Sequence, residues 1–173
     1  MEERLRDLAG RLGEALAARG WMLGCAESCT GGLLASVLTD APGASSWFTG
    51  AVVAYANAVK RDVLGVSQDT LDAKGAVSRE AVLAMARGAR GVMRADVAVA
   101  ISGVAGPSGG TPQKPVGTVW MAWEGPDGVA VKRFQFDGDR LAVKRQAARE
   151  AMAGVLAMAT GSGIGGDAEA MRP

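Results

Sequence analysis

Three short stretches hold most of the side chains able to do covalent chemistry: Glu27-Ser28-Cys29-Thr30-Gly31-Gly32, Tyr55-Ala56-Asn57-Ala58-Val59-Lys60 and Ser102-Gly103-Val104-Ala105-Gly106-Pro107-Ser108-Gly109-Gly110. In the first, Ser28 stands on a strand-to-helix turn. Backbone N–H groups around Thr30, Gly31 and Gly32, with a helix dipole behind them, can receive an oxyanion there, which makes Ser28 a candidate nucleophile for acyl transfer. The plainer alternative is that Ser28 or Thr30 merely caps the helix.

A serine nucleophile needs a base, and Lys60 is the best-placed candidate. With Asn57 as the N-cap of a short helix, Lys60 is its third residue, beside unpaired N–H groups and the positive end of the dipole, where a proton is easier to remove. Partial burial would move it further towards the range of a general base. The alternative is a solvated lysine next to Arg61. Tyr55, the single tyrosine of the chain, can donate a hydrogen bond to a substrate or leaving group, or be an ordinary strand aromatic.

In the third stretch, backbone N–H groups of Ser102, Gly103, Ala105, Gly106, Gly109 and Gly110 can converge on an anion. It has neither the Gly-Lys-Ser/Thr of a Walker loop nor the strand-loop-helix setting of a dinucleotide fingerprint. Lys114, Arg140, Lys144 and Arg145 can add positive charge, although a solvated helix face accounts equally well for the last three. Ser45 and Ser46 are rival nucleophiles more simply read as turn residues. Cys29 is a rival thiol with no histidine to activate it.

Composition narrows the chemistry further. The 173 residues include no histidine, which excludes Ser-His-Asp and Cys-His mechanisms and every histidine-containing zinc site. Cys25 and Cys29 are the only cysteines, too few for a four-ligand structural metal site. Nineteen basic residues face 18 acidic ones, for a net charge of +1, and no basic stripe offers itself to nucleic acid. No apolar run approaches the roughly 20 residues that span a bilayer, and Met1 to Arg19 carries charges throughout. The expectation is a cytoplasmic chain with free thiols, without signal peptide or anchor.

These loops must be held by elements legible in the pattern. Leu5, Leu8, Ala9, Leu12 and Leu16 recur at helical spacing up to Gly20. Trp21 to Ala26 reads as a buried strand, Leu33 to Leu38 as a helix starting near Ser28 to Thr30, Ala41 to Ser46 as a turn, and Phe48 to Ala56 as a strand. Helices follow from Asn57 to Leu64, Gln68 to Ala73, and Arg79 to about Arg94 with Ser78 as N-cap. Asp96 to Ser102 reads as a buried strand, Val116 to Trp123 and Val129 to Phe136 as a hairpin around Glu124-Gly125-Pro126-Asp127-Gly128, and Asp139 to about Met158 as the last helix. The hairpin makes the sheet mixed, so the fold class is an α/β sandwich with a mixed sheet. Residues 1–159 form one domain and 160–173 a flexible Gly-rich tail.

Taken together and in order, the motifs resemble the C-terminal domain of the CinA family, which also occurs as a stand-alone nicotinamide-nucleotide amidase. The matching stretches are Ala26-Glu27-Ser28-Cys29-Thr30-Gly31-Gly32, Tyr55-Ala56-Asn57 with Lys60, Gly75-Ala76-Val77-Ser78, Ile101-Ser102-Gly103-Val104-Ala105-Gly106-Pro107 with Gly109-Gly110, Lys114-Pro115-Val116-Gly117-Thr118-Val119, and Gly138-Asp139-Arg140 with Arg145-Gln146. The resemblance implies a three-layer α/β/α sandwich and hydrolysis of the carboxamide of nicotinamide mononucleotide to nicotinate mononucleotide and ammonia. It implies Ser28 as nucleophile, Lys60 as its base and Tyr55 assisting, with no cofactor and no metal. The Gly103 to Gly110 loop, with Arg140 or Arg145, is the candidate seat of the substrate phosphate. Longer family members carry an N-terminal domain related to molybdopterin-binding proteins that has no counterpart in this sequence, so its activities are not carried over. Two other readings stay open: a non-catalytic protein-binding module in competence or DNA-damage responses, and an amidase for a different small amide. A homo-oligomer is expected, with the apolar Val116 to Trp123 strand as an edge for self-association.

Overall fold

The computed structural model describes residues 2–164. Five strands, β1 (Leu23–Glu27), β2 (Phe48–Val53), β3 (Val97–Gly103), β4 (Thr118–Gly125) and β5 (Gly128–Gln135), form one sheet in the order β2-β1-β3-β4-β5. β1 runs parallel to β2 and β3, while β3–β4 and β4–β5 are antiparallel. The sheet is mixed, as the hairpin requires.

The two-residue period of the strands sorts the side chains by size. Leu23, Val97, Val99, Ile101, Val119, Met121 and Trp123 point to one face, where α1 (Glu2–Arg19), α2 (Leu33–Thr39) and α6 (Arg140–Thr160) complete the larger core. Ala26, Ala98, Ala100 and Ala122 point to the other, and these small residues let α5 (Arg79–Met93) lie close with Ala81, Val82, Met85, Ala86 and Ala89 inward. Between β2 and α5 come α3 (Asn57–Asp62) and α4 (Gln68–Lys74), which add Leu64, Val66 and Leu71 to this second core. Helices therefore cover both faces of the sheet. Among the described residues no helix is long and apolar enough to cross a membrane.

The connections define the site. In this strand order the chain leaves β1 through α2 towards β2 and leaves β3 towards β4, so the neighbouring carboxyl ends of β1 and β3 flank a point where the chain departs in opposite directions. Crevices at such points are where open α/β sheets bind ligands.

Several expectations shift. β1 ends at Glu27, one residue beyond Ala26, and α2 begins only at Leu33, because Gly31 and Gly32 are left-handed, with φ of +61° and +91°, and Gly32 is the N-cap. β2 stops at Val53, not Ala56, and α3 starts at Asn57 with Ala56 in the N-cap position. The Val116 to Trp123 strand is not an edge: β4 lies between β3 and β5, and Trp123 is buried under α6 with its indole N–H donating to the Ala151 carbonyl at 2.9 Å. The strands at the edges are β2 and β5. α6 runs on to Thr160, Gly161 is its left-handed C-cap, and the expected flexible tail falls mostly on 165–173, outside the described residues.

Candidate active site

The turn after β1 is built by Glu27. Its side chain is fully buried and its carboxylate accepts three amides of the α2 N-terminus: Gly32 at 3.0 Å and Leu34 at 3.1 Å on Oε2, and Ala35 at 2.8 Å on Oε1. The Leu34 and Ala35 amides are the donors that a serine or threonine N-cap usually satisfies, and Gly32, the N-cap here, has no side chain to do so. Neither Ser28 nor Thr30 caps the helix, which corrects the plainer reading of both. The Ser28 amide stays in the sheet, donating to the Ile101 carbonyl at 3.0 Å, and the Gly31 amide closes the turn on the Ser28 carbonyl at 3.1 Å. The Ser28 hydroxyl is left without a hydrogen bond among the described residues, and the Thr30 hydroxyl is buried without one.

The same bonds revise the oxyanion donors. The amides of Gly31 and Gly32 are committed to Ser28 and Glu27, so neither is free to meet an oxyanion. Thr30 keeps an uncommitted amide at this turn, and the Cys29 amide approaches only its own thiol.

Lys60 is 1% exposed, not a solvated surface lysine. Its ammonium donates to the Ala54 carbonyl at 2.7 Å and the Tyr55 carbonyl at 3.1 Å. Burial pulls its pKa below the ordinary lysine value, against a smaller pull in the other direction from Cys29. The helix-start argument for that shift does not hold, since Lys60 is the fourth residue of a six-residue helix and lies in its last turn. Desolvation is the cause. Ala54 also donates its amide to the Glu27 carbonyl at 2.7 Å, so one residue of backbone ties the end of β1 to the Lys60 side chain.

Ser28, Lys60 and Tyr55 line one cleft of about 270 Å³ at the carboxyl ends of β1 and β3. Ser102, Gly103, Ala105, Gly106 and Gly109 form its opposite wall, and Arg140 its end. Tyr55 is 64% exposed at the rim. The Ser102 hydroxyl is tied to the Ala76 carbonyl at 2.8 Å, so it holds the wall together. Val104 anchors the loop by donating to Thr118 and accepting from Gly117, and Thr111 and Lys114 exchange amide bonds at its far end. Between these anchors the amides of Ala105, Gly106, Ser108, Gly109 and Gly110 bond to no acceptor among the described residues. Gly110 itself is packed against Val116 outside the lining.

The cations divide. Arg140 lines the cleft and, with Lys144, an adjoining cavity of about 720 Å³ bounded by Ala105, Gly106, Pro107 and Leu141. Lys144 follows Arg140 by four residues and shares its helix face; its ammonium lies 3.6 Å from where a Cβ on Gly31 would be. Arg145 lies on another face and lines neither space. Lys114 is spent on the Lys74 carbonyl at the end of α4, at 2.7 Å.

The rival nucleophiles fall away. Ser45 and Ser46 sit in a short 3-10 turn before β2, at the opposite end of the sheet. Burial, with Glu27 nearby, pushes the Cys29 thiol up to about 12, so it stays protonated at neutral pH.

Two contributors are given no role at the site by the sequence. Glu27 is signalled only by a carboxylate directly before the turn with Gly-Gly after it. Asn57, freed from capping, lines the cleft. Lys144, expected only as one of four possible cations, is set apart from Lys114 and Arg145 by lining the same cavity as Arg140.

Residues 5–159 match the CinA C-terminal domain family. The chain is 53% identical over 148 residues to the nicotinamide-nucleotide amidohydrolase PncC of Enterobacter agglomerans, covering 85% of this chain and 90% of that protein. It is 48% identical over 152 residues to the protein of the same name from Escherichia coli K12, covering 87% and 92%. Among solved structures, a competence-damaged protein (CinA) superfamily member from Klebsiella pneumoniae superposes with a TM-score of 0.87 at 41% identity, covering 91% of this chain and 98% of that one. The chain belongs to the CinA C-terminal domain family.

Proposed function

We propose that this chain is a nicotinamide-nucleotide amidohydrolase that converts the carboxamide of nicotinamide mononucleotide to the carboxylate with release of ammonia, using Ser28 and Lys60. One observation carries the mechanism: an unpartnered serine hydroxyl and a buried lysine, its charged form disfavoured, share one cleft. The substrate rests on relatives of about half identity that bear that name.

A neutral lysine has two N–H bonds and one lone pair. The Ala54 and Tyr55 carbonyls take the two N–H bonds, and the lone pair remains as the base. As the Ser28 oxygen attacks the carboxamide carbon, its proton passes to Lys60, and the Thr30 amide, with that of Cys29, receives the oxyanion. Collapse breaks the C–N bond while Lys60 returns the proton to the departing nitrogen, which leaves as ammonia. Water then attacks the Ser28 ester with Lys60 again as base, releasing the carboxylate. Tyr55 at the rim hydrogen-bonds the substrate. The free amides from Ala105 to Gly109, with Arg140, receive the phosphate.

The test is ammonia release from nicotinamide mononucleotide, free nicotinamide and a few other amides. Release from the nucleotide, and its loss in Ser28→Ala, is the expected result. Release from nicotinamide but not the nucleotide would contradict the phosphate seat, and no release from any amide would leave a binding module.

A further inference from the structure

Glu27 has a role beyond packing. Its carboxylate is fully buried, makes no ion pair among the described residues, and is compensated by three amides at 2.8 to 3.1 Å. Burying a carboxylate on these terms is costly, and an apolar side chain of similar size would fill the space without that cost. What the carboxylate provides is a cap contributed from outside the turn. The N-cap position is Gly32, which has no side chain to offer, so without Glu27 the amides at this helix start have no acceptor of their own, and the Ser28 hydroxyl is not drawn into satisfying them.

We infer that Glu27 is a positioning residue for the Ser28 chemistry: by capping α2 from the end of β1 it fixes the nucleophile's turn while leaving the Ser28 hydroxyl unspent. This rests on Ser28 being the nucleophile. Its two ends serve the two halves of the site. The side chain holds the turn that carries Ser28, and the main-chain carbonyl takes the Ala54 amide at 2.7 Å, the residue whose own carbonyl holds Lys60. Only an acceptor-only group satisfies all three amides at once. A glutamine of the same size has one oxygen and one NH2, so whichever way it is turned an N–H meets an N–H, and the turn must move.

The experiment uses the full chain as Glu27→Gln and Glu27→Asp, with two readouts: the rate of covalent labelling of Ser28 by a small sulfonyl fluoride, followed by mass spectrometry, and steady-state ammonia release from nicotinamide mononucleotide. For Glu27→Gln, labelling and kcat fall by about tenfold to a hundredfold, as displacement of a reacting atom demands. KM stays within about twofold, since the phosphate loop is untouched. The apparent pKa of the pH–rate profile is unchanged, because the Lys60 acceptors are main-chain carbonyls. Glu27→Asp, which keeps two acceptor oxygens, recovers part of the rate. Labelling of Glu27→Gln at the parental rate would overturn the inference, and so would a loss of kcat that vanishes once turnover is expressed per folded molecule by near-UV circular dichroism. Parental protein that is labelled at Ser28 yet releases no ammonia counts against the substrate alone.

Discussion

The Lys60 ammonium sits 2.7 Å from the Ala54 carbonyl oxygen, and the Ala54 amide is bonded in turn to Glu27, the residue before Ser28. The lysine is thus held by backbone that is itself part of the sheet edge. A group fixed in this way, with burial disfavouring its charge, is suited to give and take a proton without moving far.

The first prediction follows from that geometry. In the parental enzyme kcat/KM rises with pH through an apparent pKa below the ordinary lysine value of 10.5, because the base acts only once its proton is gone. Lys60→Met lowers kcat by about 10²–10⁴ and flattens that limb. Lys60→Arg does the same, since a guanidinium does not deprotonate in proteins. A pH–rate profile of the three proteins decides it; an unchanged limb in Lys60→Met would remove the lysine from the chemistry.

Cys29, although it lines the cleft, is expected to be a bystander. Its thiol, raised to about 12, is protonated and a poor nucleophile at pH 8. Cys29→Ala therefore keeps kcat within about threefold, a loss of only packing, and iodoacetamide at pH 8 leaves the folded enzyme active. Rapid inactivation with carboxamidomethyl found on Cys29 would reopen the thiol as a candidate.

Charge at the proposed phosphate end gives a prediction that separates neighbours. Arg140→Ala raises KM for the mononucleotide by about tenfold, the weight of a charge-assisted hydrogen bond, while kcat falls less. Lys144→Ala acts in the same direction, since its side chain shares the Arg140 face and reaches towards Gly31. Arg145→Ala leaves KM within about twofold. KM values for the three variants, each against the parental enzyme, test this ordering, and a dominant effect at Arg145 would reverse it.

What the sequence disclosed depended on whether the determining interaction was local. The alternation in Val97 to Ile101 and the helical spacing of Leu5, Leu12 and Leu16 reflect periodicities that a few neighbouring residues reveal, and both elements form where expected. Ser28 can be singled out because turn chemistry is also local, whereas Lys60 is singled out by a helix-start argument that its place in the last turn of α3 does not support. The cap of α2 was not, because it comes from a carboxylate on the preceding strand, outside the usual Ser/Thr pattern, and it reverses the reading of Ser28 and Thr30. The depressed lysine pKa was expected for two reasons, of which only burial survives, and burial is a tertiary property. The Val116 to Trp123 strand shows the same limit: its apolar pattern does not distinguish an edge from a strand covered by a hairpin partner and a helix.

The final prediction concerns stability at a distance from the chemistry. Trp123 of β4 lies against Gly154 of α6, and a Cβ at Gly154 would collide with the indole ring, whose N–H is fixed by the Ala151 carbonyl at 2.9 Å. The indole has no room to withdraw without giving up that bond, so Gly154→Ala should cost about 1–3 kcal/mol as an overpacked contact. That corresponds to a fall in Tm of about 3–10 °C for a chain of this length. Gly10, inside α1, has nothing within 4 Å of the place a Cβ would take, and Gly10→Ala should stabilise by up to about 1 kcal/mol through helix propensity alone. Both variants keep the parental kcat, because neither position lines the cleft. Thermal melts of the two side by side give opposite signs if helix α6 is seated on the sheet through Trp123, and a neutral Gly154→Ala would mean that the indole is free to shift.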